Sequence, residues 1–316
     1  MVGYLVRRLV IAVIVTIGIA AITFLLLHAV FPSPALKVLG TKARPAEIAA
    51  WDKAHGYDRP VFAQMVSYMW KLAHGDFGYS YVLSQSVSAL FKENAGRSAY
   101  LSGAALVLSL IIAIPLGILQ AVKRNSPMDY AFTAWNFTLY SMPSFFLGLI
   151  LIQIFGLELK VLPVGVSSHI TTTWGAITHP KQLLLPILTL AAINVASFSR
   201  YMRSSALDVL AEDYIRLARA KGLSQRVVLT RHLLRNACLP MITLIGLSIP
   251  SLLAGNLLIE YLFNYPGLGL LFYNGLQNDD YNLLLAYTIL GGFLTVVGNL
   301  LADVAMTVAD PRIRLD

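Results

Sequence analysis

Residues 9–36 read LVIAVIVTIGIAAITFLLLHAVFPSPAL, a run of 28 positions without a charged side chain. A helix rises about 1.5 Å per residue, so a hydrocarbon core of about 30 Å needs roughly 20 apolar residues. This run is long enough to cross. Charged residues elsewhere act as fence posts around five more uncharged runs: 98–122, 130–157, 182–199, 236–259 and 281–302. The shortest, 182–199, can extend past Arg200, whose long stem carries its charge toward headgroups. Six such runs predict six transmembrane helices. The whole composition agrees, with 57% hydrophobic residues, 13% charged ones and a mean hydropathy of +0.68. Soluble domains carry about 25% charged residues. That excludes an ordinary water-soluble enzyme, a disordered chain and a fibrous repeat. It also argues against a nucleic-acid partner, because the chain is poor in charge of both signs despite its net +8.

Orientation follows from the basic residues, which favour the cytoplasmic side of short loops. With the N-terminus inside, the inner segments carry 14 Lys and Arg residues, and the two short outer loops carry only Lys160 and Lys181. The chain is therefore expected N-in and C-in. The first run could serve as a cleaved signal peptide, with Arg7 and Arg8 ahead of it. Its length and the prolines Pro32 and Pro34 favour a retained anchor. The single cysteine, Cys238, excludes an intrachain disulfide and a cysteine cluster for metal.

Between the first two runs lies a long outer segment, 31–97. Pro45–His55 reads as a helix, with proline at its start and Gly56 at its end. Pro60–His74 places Val61, Met65, Tyr68, Met69 and Leu72 on one helical stripe. That stripe has three readings: packing on the membrane face of this chain, lying in the lipid interface, or receiving a partner. Tyr265-Pro266-Gly267 marks a turn in the outer loop 260–280, and the apolar stretch to Leu271 reads as a short re-entrant or interfacial helix. No internal repeat is evident, which weighs against a transporter built from inverted halves.

The inner segment 200–235 holds eight basic and three acidic residues. Asp213 to Lys221 reads as a short amphipathic helix, with Tyr214, Leu217 and Ala218 on one face by the i, i+3, i+4 rule. Gly222 suits the left-handed cap that ends it. Ser224 suits the N-cap of a second helix running to Asn236. Ala218, Ala220 and Gly222 permit close approach by another surface. By composition alone, a basic loop resting on anionic headgroups is an equal reading.

Tyr214-Ile-Arg-Leu-Ala-Arg-Ala-Lys-Gly-Leu223, followed by Arg231-His-Leu-Leu-Arg-Asn-Ala-Cys-Leu-Pro240, closely resembles the inner loop of binding-protein-dependent ABC importer permeases. The nearest branch is the oligopeptide/dipeptide/nickel one, in its first, B-type permease. The resemblance spans the chain. Tyr4, Arg7, Arg8 and Leu9 resemble that branch's opening. Gly75-Asp-Phe-Gly-Tyr-Ser80 resembles an outer motif, Ser141-Met-Pro-Ser-Phe-Phe-Leu-Gly148 a third-span motif, and Asp310-Pro-Arg-Ile-Arg314 a C-terminal one. The general permease pattern has Glu-Ala-Ala where Arg216-Leu217-Ala218 stands here, and its Leu-Pro falls earlier than Leu239-Pro240. Both departures are usual for the peptide branch, and they make transfer of contacts from sugar permeases unsafe.

The resemblance implies an all-α integral membrane fold of six helices. It divides into an N-terminal anchor (1–30), an extracytoplasmic segment (31–97), a permease domain (98–310) with its coupling loop at 200–235, and a cytoplasmic tail (311–316). It implies a coupling helix docked on an ATP-hydrolysing subunit, with Tyr214, Leu217, Ala218 and Gly222 as the contact face and Arg216, Arg219 and Lys221 at its rim. The implied partners are a second permease, two ATP-binding subunits, an extracytoplasmic solute-binding protein and the lipid bilayer of a bacterial or archaeal cell membrane. The implied cargo is a di- or oligopeptide, with nickel, glutathione or haem as alternatives. No phosphate-cradling Gly-x-x-x-x-Gly-Lys loop, no His-Glu-x-x-His and no nucleophile motif occurs in the chain. No catalytic residue, metal or cofactor is therefore expected here, and ATP and magnesium belong to partner subunits. Asn136, Gln153, Asn194, Asn256 and Asn299 are candidates for a translocation path or for interhelical hydrogen bonds. Gly148, Gly246, Gly255, Gly291, Gly292 and Gly298 would allow close packing against a second permease. A stand-alone secondary transporter or channel, and an integral membrane enzyme, are the competing function classes.

Overall fold

An apolar medium offers the backbone no partner but itself, so long uncharged runs close into helices. A computed structural model describes residues 2–309 apart from Pro32, Thr41, Ser168, His169 and Thr171. The C-terminal motif Asp310–Arg314 lies outside the described residues. The helices in chain order are α1 (Val2–Val30), α2 (Ala35–Leu39), α3 (Pro45–His55), α4 (Val61–Ala73), α5 (Val87–Val122), α6 (Pro127–Ser141), α7 (Ser144–Leu151), α8 (Thr173–Thr178) and α9 (Pro180–Ala211). They continue as α10 (Asp213–Ala220), α11 (Gln225–Val227), α12 (Leu234–Ala237), α13 (Leu239–Ala254), α14 (Leu257–Leu262), α15 (Leu268–Gln277) and α16 (Tyr281–Ala309). Wide i→i+5 turns at Ile152–Glu158 and Val228–Leu233 join α7 to its outer end and α11 to α12. The departure from an all-helical fold among the described residues is a two-residue antiparallel ladder, Tyr79–Ser80 against Gln85–Ser86.

Among the described residues, four helices are long and apolar enough to cross a membrane, and six crossings result if each of two bent pairs counts as one. The expected single run 130–157 is one of these pairs. It breaks between α6 and α7 with a 106° bend. The cause is local: Pro143 lacks an N–H and disfavours helical geometry in the residue before it. Met142 accordingly sits at φ −85°, ψ 130°. The pair nevertheless advances along α9 rather than turning back. Asp129 meets Arg203, Asn136 meets Ser199, and Gly148 lies beside Thr189. Those α9 positions span 14 residues, about 21 Å of helix. The second bent pair, 225–237 and 239–252, turns by 47°, with Pro240 in the first turn of α13.

Two helices overrun the expected boundaries. α5 begins at Val87, where the Ser86 hydroxyl accepts the Ala89 N–H, and so carries Lys92, Glu93 and Arg97 in its first turns. α9 continues through Arg200 to Ala211, with the Arg200 guanidinium 4.4 Å from the Tyr140 ring centre. The two run side by side. Their cores meet through Leu106, Ala113 and Ala121 of α5 and Phe198, Met202 and Ala206 of α9.

Close approach depends on small residues, as membrane helix packing generally does. A Cβ at Gly246 would stand 2.3 Å from Ala302 Cβ, and one at Gly298 would stand 2.9 Å from the Gly246 carbonyl. Gly148 meets Leu262, Gly292 meets Ile19, and Gly255 meets Glu260. Five of the six glycines expected to face a second permease are thus consumed within this chain, leaving Gly291 with open space. At the ends of the outermost helices, Arg8 pairs with Asp303 at 3.0 Å.

The α5–α9 seam is tightest at Gly117, where an added Cβ would lie 2.6 Å from Met202 Cβ and 2.7 Å from the Ser199 carbonyl oxygen. Gly117→Val is expected to destabilise the protein by at least about 1–3 kcal/mol, the usual cost of overpacking. Gly103→Ala, at a site with nothing within 4 Å, is the neutral control. Thermal unfolding in detergent compares the two.

Candidate functional site

The inner loop is built by two short helices that brace each other. α10 starts after Glu212, which has extended backbone, and ends where Gly222 adopts φ +74°. The Gly222 N–H donates to the Arg219 carbonyl, and the Leu223 N–H donates to that of Ala218. A positive φ is cheap for glycine and costly for residues with a Cβ. Ile215 and Ala218 pack inward against Val228, with Val209 and Leu210 alongside. Ser224 does occupy the N-cap position of α11, but its side chain makes no capping bond.

Only part of the expected contact face is therefore presented. Leu217 is 55% exposed and Tyr214 40%, whereas Ala218 is 4% exposed. The sequence pattern groups Ala218 with Tyr214 and Leu217, but the structure spends it on seating α10. Arg216, Arg219, Lys221 and Gly222 are all exposed. Arg216 pairs with Asp213 at 3.3 Å, an exposed contact worth little. The Tyr214 hydroxyl accepts a hydrogen bond from Asn236 Nδ2 at 3.0 Å, tying α10 to α12. Leu223 and Val227 add two more exposed apolar side chains. The result is a projecting knob with apolar residues at its crest and cations around it.

The five polar span candidates do not converge. Asn136 is buried and donates from Nδ2 to Ser199 Oγ at 2.9 Å, an interhelical bond. Gln153 is exposed and donates to Glu158. Asn194 is half-buried and Asn299 is exposed. Asn256 caps α14, its Oδ1 accepting the Ile259 N–H. Gln120, which the charge-based reading passed over, is 1% exposed, and both ends of its amide lack a protein partner among the described residues. Its position two residues before the end of α5 hides it from a search of span centres. Between α9 and α6, Arg203 grips Asp129 with two bonds of 2.8 Å, a bidentate geometry that lysine cannot copy.

A second polar centre lies at the opposite end, where α14 and α15 form a tight hairpin. Glu260 is fully buried there. Its carboxylate accepts bonds from Ser98 Oγ (2.7 Å) and from the N–H groups of Gly269 (2.7 Å), Leu270 (3.2 Å) and Asn256 (3.3 Å). Burial pushes the carboxyl above its usual range, and these bonds pull it back toward ionisation. Gly255 and Gly267 make room, since a Cβ at either would come within 2.5 Å of the carboxylate. The Leu268 N–H donates to Ser98 Oγ, and the Tyr265 hydroxyl donates to the Arg97 carbonyl. The expected turn at 265–267 is thus present, and α15 is packed on α5 and α16 through Leu268 and Leu271.

Comparison with known proteins covers the whole chain. Residues 113–315 match the family described as binding-protein-dependent transport system inner membrane component, and residues 1–93 match its N-terminal family. The oligopeptide transport system permease protein AppB of Bacillus subtilis is 36% identical over 314 residues, 99% of each chain. The dipeptide transport system permease protein DppB of Escherichia coli K12 is 35% identical, again over 99% of each. The glutathione transport system permease protein GsiC of Salmonella choleraesuis is 34% identical over 99% of each.

Glu260→Gln tests the hairpin centre. The amide has one acceptor oxygen and turns an NH2 toward N–H donors. A lost bond to a charged group costs about 1.5–3 kcal/mol. The expected outcome is a lowered thermal midpoint and faster proteolytic cleavage within 257–277, with a smaller effect from Ser98→Ala.

Proposed function

This chain belongs to the binding-protein-dependent transport system inner membrane component family, and from that premise we propose that it is the B-type permease subunit of an ATP-driven importer of di- or oligopeptides. It is a multi-pass membrane protein with transport permeases as relatives. In this reading it crosses the cell's inner membrane six times, N-in and C-in, each bent pair counting once. It forms half of a pore with a second permease. Two ATP-binding subunits supply hydrolysis, and a solute-binding protein delivers cargo. Peptide is favoured because AppB and DppB carry peptide names, while the glutathione relative keeps a small peptide-like alternative open.

The observation that carries the mechanism is the projecting knob of α10. Tyr214 and Leu217 offer an apolar crest, Arg216, Arg219 and Lys221 a cationic rim, and Gly222 a sharp exit. A groove on an ATP-binding subunit would receive the crest. Ile215 and Ala218 clamp α10 to α9 and to the helix leading into α13, so a push on the knob moves spans rather than bending a loop. ATP-driven closure of two such subunits then biases a two-state pore through differential contacts in its two states.

The decisive experiment is uptake of labelled peptide into proteoliposomes holding all subunits. Uptake is expected only with ATP and both ATP-binding subunits. Uptake by the purified chain alone without ATP would favour a secondary transporter instead. Within the complex, Leu217→Ala is expected to lower ATP-driven uptake by about tenfold or more, the scale of an interface hot spot, with the melting temperature unchanged. Gly222→Val is expected to uncouple as strongly, because the site has open space but the wrong φ for a branched residue.

A further inference from the structure

Helix α4 is apolar on two faces, and only one of them is used inside the chain. Met65, Tyr68, Met69 and Leu72 pack into a cluster with Ala20, Phe24 and Leu27 of α1, with Phe31 just beyond its end, and with Tyr281, Leu285 and Ile289 of α16. A quarter-turn further round the helix, Phe62, Val66 and Trp70 recur at intervals of four and are 70%, 50% and 69% exposed. Ala63 and Ala73 lie exposed beside them. The polar residues Gln64, Ser67 and Lys71 fall on the remaining flank, where they line a cleft of about 650 Å³. No charged residue occurs from Val61 to Trp70.

Depth decides what covers the unused face. Of the α1 residues that share the cluster with α4, Phe24 and Leu27 belong to the C-terminal part, and Ala20 to the middle, of a run, Val10–Val30, long and apolar enough to cross a membrane. Phe24 lies six residues inside Val30, about 9 Å along the helix. Ile22, Leu25, Leu26 and Val30 of the same stretch are themselves exposed, so the surface of α1 at this level is apolar and outward. The exposed face of α4 adjoins, on the same helix, the face that packs against α1 at this level. A helix with one wide apolar face, one polar flank and a tryptophan near its end suits the plane of a membrane interface.

We propose that α4 is an interfacial helix whose Phe62–Val66–Trp70 face lies among the acyl chains of the outer leaflet, with its Gln64–Ser67–Lys71 flank turned to a water-filled cleft. The long segment between the first two spans is then partly membrane-embedded and holds the first span to the last. This holds whichever substrate the complex carries, and it requires only that α1 crosses the bilayer.

The test uses the full complex in lipid nanodiscs, with Trp51, Trp135 and Trp174 replaced by Phe, and subtracts the signal of the same complex carrying Trp70→Phe as well, so that the difference reports Trp70. Lipids carrying a spin label high on the acyl chain are expected to quench Trp70 at least about threefold more than aqueous iodide does, as for a side chain buried about 5–10 Å into the headgroup boundary. Dominant iodide quenching would place the face in water and overturn the proposal. Protection from both quenchers would mean that a protein surface, such as the second permease, covers it, and would overturn it equally. Cysteine reactivity in a Cys238→Ser background supplies an independent reading. Ser67→Cys is expected to react with a membrane-impermeant maleimide and Val66→Cys to resist it. Equal reaction at both positions would contradict the assignment of the two flanks.

Discussion

An apolar surrounding makes an unpaired polar group expensive, and that constraint organises this protein. Where charge or hydrogen-bonding capacity enters the interior, it is answered by geometry. Glu260 sits without solvent contact because four donors close around it. Asp129 is nearly as buried and is held bidentately by Arg203. Each of these centres ties together elements distant in sequence: Ser98 to Glu260 and Leu268 at one end, Asp129 to Arg203 at the other. They pin the two ends of a bundle whose middle is held mainly by packing, with bonds such as Asn136 to Ser199 added to it.

Packing in that middle is made possible by absent side chains. Gly117 lets α5 lie against α9, and Gly246 with Gly298 lets α13 lie against α16. In lipid there is little hydrophobic gain in joining one apolar helix to another, so contact must be close to be favourable. The same need accounts for glycines around Glu260, where backbone rather than side chain has to reach the carboxylate.

Much of this was readable from residue order. The uncharged runs marked the membrane helices, because charge is excluded from hydrocarbon whatever the tertiary arrangement. Proline and glycine marked the ends of α3, whose limits, Pro45 and Gly56, are as the pattern demands. The helix at 213–221 and its glycine stop were equally plain. The break at Met142–Pro143 was less so: the proline was visible, yet proline is tolerated inside α5, α9 and α13 without ending them. Pro143 has the same local effect as the other three, and nothing in the neighbouring sequence separates the proline that ends a helix from those that do not.

Residue order, then, was enough to establish the medium, the number of apolar runs and the place of the projecting loop. These depend on hydropathy, charge and backbone chemistry, which act residue by residue. Only the tertiary structure decided that Ala218 turns inward while Leu217 projects, that five interfacial glycines are spent inside the chain, and that Glu260 organises the hairpin through Ser98. Each of those depends on a partner more than a helix turn away, often more than a hundred residues along the chain. A single helical stripe cannot say which of its neighbours will arrive there. For α4 the stripe left packing, lipid and a partner as readings, and the fold shows one packed face and a second, exposed apolar one.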